Sequence, residues 1–194
     1  MNPKYLVIFD LDNTLRFSKR SGGLILSMKD IDEHHPYYFE TWDLIGVMLE
    51  NNIAVGIATN QCAAYDSLDG GLYGKVFIES ELDFYFNSMA DRCFSSNWGL
   101  FDSAYSVDRK NTAKPKPDML YWLADRFLSL PEETILVGDS WKDCLAARSF
   151  GCEFIKVGDF GYTQNGTTPM PENIPAPDLW FDSAYSAVLH LLER

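Results

Sequence analysis

The chain has 194 residues, 46% hydrophobic and 23% charged, which suits one sizeable soluble domain with a real core. No apolar stretch reaches membrane-spanning length, and the N-terminus lacks the pattern of a secretory signal, so a cytoplasmic protein without membrane contact is expected. A net charge of −12 disfavours broad docking onto nucleic acid, and four cysteines without Cys-x-x-Cys spacing are expected to be reduced and buried.

In chain order, Tyr5–Phe9 is an unbroken apolar run that reads as a fully buried strand. Residues 15–36 form a polar insertion with Gly22-Gly23 as its turn, predicted to be a short β-flap. A helix is expected over 39–51, then a strand over Ile53–Ala58, then a helix over 77–89. Met119–Leu130 has helical apolar spacing, with Pro131 as its stop. Thr134–Val137 and Glu153–Val157 are further strand runs, separated by a helix over 140–150 that Gly151 ends. The segment 158–177, rich in Gly, Pro, Thr and Asn, is expected to be a surface loop. Asp178 is positioned to cap a last helix through Trp180, Ala184, Val188 and Leu191. Strands alternating with helices predict a doubly wound, mostly parallel α/β sheet of Rossmann-like form in one domain, residues 1–194. The hexapeptide Phe-Asp-Ser-Ala-Tyr-Ser occurs at 101–106 and again at 181–186; two copies are too few for a repeat protein, and coincidence accounts for them.

Ligands of open α/β sheets bind beyond the carboxyl ends of the strands. Four polar sets fall there: Asp10 with Asp12, Thr59 with Asn60, Lys114 in Ala113-Lys-Pro-Lys-Pro117, and Asp139 with Asp143 in Gly138-Asp-Ser-Trp-Lys-Asp143. Two carboxylates beside a buried strand are costly unless a cation or a reacting group sits between them. Asp139 and Asp143, four residues apart at a helix start, repel, and Mg²⁺ would relieve them because it takes oxygen ligands and bridges carboxylates to phosphate.

This ordered set, over residues 5 to about 157, resembles the four motifs of the haloacid dehalogenase-like phosphatases. The resemblance implies a Mg²⁺-dependent phosphomonoester hydrolase. Asp10 would be the nucleophile that forms an aspartyl-phosphate, and Asp12 would protonate the leaving oxygen and later activate water. Lys114 would neutralise charge, with Lys116 as its rival. Thr59 and Asn60 would hold the phosphate. The metal shell would be the Asp10 carboxylate, the Asp12 carbonyl and Asp139, with Asp143 direct or one step removed. Lys-Pro-x-Pro-x-Met resembles the third motif of the subfamily acting on histidinol phosphate and heptose bisphosphate. That subfamily's zinc loop is missing, since residues 93–113 hold one Cys and no His, and Ala113 stands where those relatives tend to have Arg.

No insertion is long enough for a large cap domain, so an open site shaped by the flap is expected. Arg16, Lys19 and Arg20, with Arg109, Lys110, Lys114 and Lys116, would form a local anion funnel, and Arg16 and Lys19 are expected to bind substrate. His34, His35 and His190 are expected at the surface. The leading substrate is a small phosphorylated metabolite, a sugar phosphate or nucleotide. The alternative is a nucleic-acid 3′ end, since Ser18–Gly22 is similar to the flap of polynucleotide 3′-phosphatases. A catalytically idle metal- or phosphate-binding domain is the third reading. Oligomeric state is left open.

Overall fold

The computed structural model describes residues 3–19, 25, 27–68, 70–92, 97–158 and 171–194. Its strands are β1 (Leu6–Phe9), β2 (Ala54–Asn60), β3 (Phe101–Ser106), β4 (Thr134–Gly138), β5 (Glu153–Val157) and β6 (Leu179–Phe181). All pair in parallel, in the order β3-β2-β1-β4-β5-β6. The chain moves outward from β1 to β3, then returns to lay β4 against the other side of β1. That reversal opens a crevice at the carboxyl ends of β1 and β4, where such sheets bind ligands.

The helices are α1 (Tyr38–Glu50), α2 (Cys62–Ser67), α3 (Gly71–Arg92), α4 (Asp118–Phe127), α5 (Trp141–Phe150) and α6 (Ala184–Leu192). They cover both faces. Val7, Phe9, Val55, Ile57 and Val137 face the core that includes α1, α3 and α6; Leu6, Ile8, Ala58, Leu136 and Phe154 face α4 and α5. Every β1 side chain is inaccessible to solvent. At about 1.5–3 kcal/mol for each large apolar side chain buried, this anchoring prevents the strand from shifting to separate the acids at its end. Gly56 lets α4 lie close, since a Cβ there would meet a Leu123 methyl at 3.0 Å.

The elements depart from expectation in four places. One helix and one strand are expected between Gln61 and Ala113; β3 is that strand, which its mixed polarity left without bounds, α2 is an additional short helix, and β6, mixed in polarity and only partly buried, is unexpected. α3 is longer than the predicted 77–89; it buries Ile78, Leu82 and Tyr85 but exposes Leu72, Tyr73, Val76 and Phe84, which blurs its periodicity. α4 stops at Phe127, before the predicted end at Leu130, because Leu128 is left-handed (φ 54°) and closes the helix with its N–H on Asp125 O. Asp178 does not cap a helix: its carboxylate accepts from Phe154 N at 2.8 Å and pairs with Arg148, Trp180 lies in β6, and Ser183 caps α6.

Between β2 and β3 lie α2 and α3, and there is no large cap domain among the described residues. The base of the predicted flap is a narrow antiparallel stem, with Ser18 bridging Ile31, Lys19 N donating to Asp30 O at 2.8 Å and Asp32 N to Phe17 O at 2.7 Å. Its predicted turn at Gly22-Gly23 and much of the 158–177 loop lie outside the described residues. Cys62, Cys144 and Cys152 are buried, and Cys93 lies outside the described residues. Among the described residues, no helix is long and apolar enough to cross a membrane.

Candidate active site

The carboxyl ends of β1, β2 and β4 open into a hollow of about 140 Å³. Asp10, Asp12, Thr59, Asn60, Lys114, Asp139 and Asp143 all line it. Asp10 directly follows β1, and its N–H donates to Val137 O at 2.8 Å, so the nucleophile candidate is held to the neighbouring strand by its own backbone.

Lys114 comes from the loop after β3 and is 4% exposed. Its Nζ sits 2.5 Å from Asp10 Oδ1 and 2.6 Å from Asp143 Oδ1. Asn60 sets its approach: the side-chain amide accepts from Lys114 N at 2.9 Å and donates to Lys114 O at 3.0 Å. That amide, expected to hold phosphate, is therefore engaged on the main chain of the lysine. The rival Lys116 is turned away, its Nζ donating to Lys110 O.

Asp143 is fully buried in the first turn of α5. Its Oδ2 accepts from Ser140 N at 3.0 Å and from Ser140 Oγ at 2.5 Å, one half of a capping box. Gly138 makes room for it, because a Cβ there would lie 2.6 Å from Asp143 Cγ. Asp139, 7% exposed, completes a set of three: Asp10, Asp139 and Asp143 each offer a carboxylate oxygen, all within 4.8 Å of one another.

These charges are unbalanced, since three carboxylates share one ammonium. Burial pushes the Asp10 carboxyl up to about 7; Lys114 opposes the shift and Asp143 adds to it. Burial, then the charges of Asp10 and Asp143, hold Asp139 well above the ordinary carboxylate value. Burial acts to lower the Lys114 value, but Asp10 and Asp143 override it and hold the ammonium above an ordinary lysine. An all-oxygen donor set with surplus negative charge fits a hard divalent cation such as Mg²⁺.

Asp12 stands at the rim in a different setting. Its Oδ1 pairs with Arg16 Nε at 2.5 Å, and its Oδ2 accepts from Gln61 Nε2 at 3.0 Å. Gln61 Nε2 also donates to Thr59 Oγ1 at 2.9 Å. Arg16 is 4% exposed, with its guanidinium 5.5 Å from the centre of the Tyr85 ring. The expected open funnel is thereby corrected at Arg16, which turns inward to a partner rather than outward to solvent. Arg109 is spent on Asp66 at 2.9 Å, Lys19 and Lys110 are exposed and do not line the hollow, and Arg20 lies outside the described residues. His34 is exposed, and His35 stacks on Phe17.

Sequence reasoning missed Gln61, Asn13, Trp141 and Lys142. Lys142 lines the hollow, is partly buried, and makes no ion pair among the described residues beyond standing 5.6 Å from the Trp141 ring. Its position inside the Gly-Asp-x-x-x-Asp stretch was the available signal. Gln61 follows Thr59-Asn60 directly, but only folding shows that it reaches Asp12.

A family model described as haloacid dehalogenase-like hydrolase matches residues 90–157. A phosphoglycolate phosphatase of Pasteurella multocida is 38% identical over 94 residues, 48% of this chain and 39% of that protein. Another, of Salmonella choleraesuis, is 33% identical over 146 residues, 73% of this chain and 45% of that protein. The chain thus spans less than half the length of these curated relatives. D,D-heptose 1,7-bisphosphate phosphatase from B. bronchiseptica, solved with magnesium and phosphate, superposes with a TM-score of 0.68 at 20% identity over 97% of this chain and 98% of that one. The enzyme of the same name from Burkholderia thailandensis superposes with a TM-score of 0.60 at 17% identity, over 98% and 100%.

Proposed function

We propose that this chain, which has the haloacid dehalogenase-like fold, hydrolyses phosphomonoesters of small metabolites through an aspartyl-phosphate on Asp10. One observation carries the reading: a buried carboxylate at the end of β1, 2.5 Å from a buried ammonium, inside a cluster of three acids. Matching phosphatases among the relatives and structural neighbours support it.

Asp10 Oδ would attack phosphorus as the ester P–O bond breaks, leaving an acyl phosphate on Asp10. The departing oxygen takes a proton from Asp12, which then accepts one from the water that attacks the acyl phosphate; inorganic phosphate leaves and both acids are restored. Lys114 stays beside Asp10 throughout and offsets charge on the phosphoryl oxygens, and the Thr59 hydroxyl donates to them. Bound Mg²⁺, held by Asp10, Asp139 and the Asp12 carbonyl, would supply further charge neutralisation. Asp143 is the weakest ligand candidate, because both its oxygens are already engaged by Lys114 and Ser140.

Lys142 favours substrates with a second anionic group near the ester. A partly buried cation at the mouth with no ionic partner among the described residues gains most from such a ligand. Phosphoglycolate, the compound in the curated relatives' name, has this character, and the sugar bisphosphate in the structural neighbours' name carries a second anion farther from the ester. The nucleic-acid-end reading loses support, because Arg16 is buried and Arg109 is paired.

The test is phosphate release from an aryl phosphate, from two-anion metabolites and from 3′-phosphorylated oligonucleotides, with and without Mg²⁺. Turnover is expected only with Mg²⁺, best on the two-anion compounds, and Asp10→Asn is expected to lose about 10⁴-fold or more. Activity that survives Asp10→Asn would remove the nucleophile assignment.

A further inference from the structure

Asp12 is gripped at both carboxylate oxygens by groups that take no part in the bond changes themselves. Arg16 Nε lies 2.5 Å from Oδ1, and Gln61 Nε2 donates to Oδ2 at 3.0 Å. Both gripping residues are 4% exposed. Neither grip is a loose surface contact. Arg16 and Asp12 are joined by a backbone bridge as well as by the ion pair, and Arg16 N donates to Leu11 O at 3.0 Å. On its far side the guanidinium meets the ring of Tyr85, which is fully buried in α3. The Tyr85 hydroxyl in turn accepts from Trp42 Nε1 at 3.1 Å and from Tyr38 Oη at 3.2 Å, both on α1. Gln61 is fixed from the other direction, because the nitrogen that reaches Asp12 also reaches Thr59.

The grip has a chemical consequence. A carboxyl group on a turn can rotate, and a rotated Asp12 would direct its proton away from the leaving oxygen. Two donors from opposite sides remove that freedom. Each oxygen has two acceptor positions, so one on each remains for a proton. Arg16 also offers a planar, core-packed donor that a flexible lysine would not. A guanidinium committed in this way is not free to receive a phosphate, which is the task expected of Arg16 as a flap cation.

We infer that Arg16 and Gln61 are positioning residues that orient the Asp12 carboxylate for proton transfer to the leaving oxygen, and that Arg16 does not itself bind the phosphoryl group. This rests on the phosphatase reading above.

Leaving-group dependence tests it, because kcat/KM reports formation of the aspartyl-phosphate, the step in which the departing oxygen needs the proton. Wild type, Arg16→Gln, Arg16→Lys and Gln61→Leu are compared on an aryl phosphate with an acidic phenol and on an alkyl phosphate, with thermal unfolding recorded for each. Arg16→Gln and Gln61→Leu are each expected to lower kcat/KM on the alkyl ester by roughly 10- to 100-fold, inside the range that acid–base catalysis supplies. On the aryl ester, whose leaving group departs without help, the loss is expected to stay below about threefold. Arg16→Lys is expected to recover part of the alkyl-ester rate. Equal losses on both esters would overturn the inference and leave a merely structural role, and a rise in KM with kcat unchanged would make Arg16 a phosphate receptor. If Arg16→Gln does not fold, Gln61→Leu carries the same comparison, since leucine is of similar size and removes the amide that reaches Asp12 and Thr59. A wild type inert on every phosphoester removes the phosphatase reading and this inference together; an active wild type with uniform losses removes this inference alone.

Discussion

The floor of the hollow and its rim hold their acids by opposite means. On the floor, Asp10, Asp139 and Asp143 crowd around the single ammonium of Lys114, and negative charge is left over. At the rim, Asp12 is matched one to one by Arg16, and Gln61 takes its second oxygen. Surplus buried negative charge makes the floor a place where a bound cation lowers the energy. Balanced charge makes the rim a place where geometry is kept. The same residue type thus does two kinds of work, and the difference lies in its partners.

The sharpest way to break this contrast is to remove Lys114, the ammonium that pairs with the floor's acids. Lys114→Met is expected to leave Asp10 and Asp143 buried and unpaired, at a cost of about 3–5 kcal/mol of stability and with all measurable turnover lost. Denaturant unfolding beside a phosphate-release assay checks both. Stability within about 1 kcal/mol of wild type would mean that the floor charges are not what the geometry implies.

A narrower change moves one acid without removing it. In Gly138→Ala the new methyl would stand 2.6 Å from Asp143 Cγ, so the carboxylate must leave its place beside Lys114. Mg²⁺ affinity, read as metal-induced stabilisation, is expected to fall roughly 10- to 100-fold, the usual cost of disturbing groups that orient metal ligands. The rim pair should be untouched.

The smallest expected effect is a pH dependence that arises on the floor. In the metal-free chain Asp10 keeps its proton up to about 7, whereas an unfolded carboxyl, with a value of 3.8, releases it near pH 4. Between those values the folded chain binds more protons than the unfolded one, so stability is expected to decline as pH rises through that window. Added Mg²⁺ should offset the decline, most strongly near pH 8 where protons no longer compete. Thermal melts at several pH values with and without Mg²⁺ measure this; melts that improve steadily from pH 4 to 7 without metal would contradict the charge imbalance.

The twice-used hexapeptide shows where local sequence stops being informative. At 101–106, Phe-Asp-Ser-Ala-Tyr-Ser is the whole of β3, paired residue by residue with β2 from Val55 to Asn60. At 181–186 the same six residues end β6 at Phe181, cap α6 through Ser183 and begin that helix at Ala184. A strand already in place alongside decides the first outcome, and the Ser183 hydroxyl accepting from Ser186 N at 3.3 Å belongs to the second. Six residues have no preference strong enough to resist either setting.

Arg16 teaches the same lesson at the site. As a cation in a polar insertion it reads as a solvent-facing anion receptor; folded, it is buried against Tyr85, a residue 69 positions away in sequence. Asn60 likewise reads as a phosphate ligand until the structure puts its amide on the main chain of Lys114.

What the sequence settled unaided was the frame. Continuous apolar runs can be buried on both sides only as inner strands of a sheet covered by helices, and acids placed just beyond such runs must come to its carboxyl edge. What folding alone decided was which partner each polar group takes. Lys114 between Asp10 and Asp143, and Asp12 between Arg16 and Gln61, are distance relations among segments far apart in the chain. Hydropathy records how deep a residue sits; hydrogen bonds and ion pairs depend on ångström-scale separations that exist only once the strands have assembled.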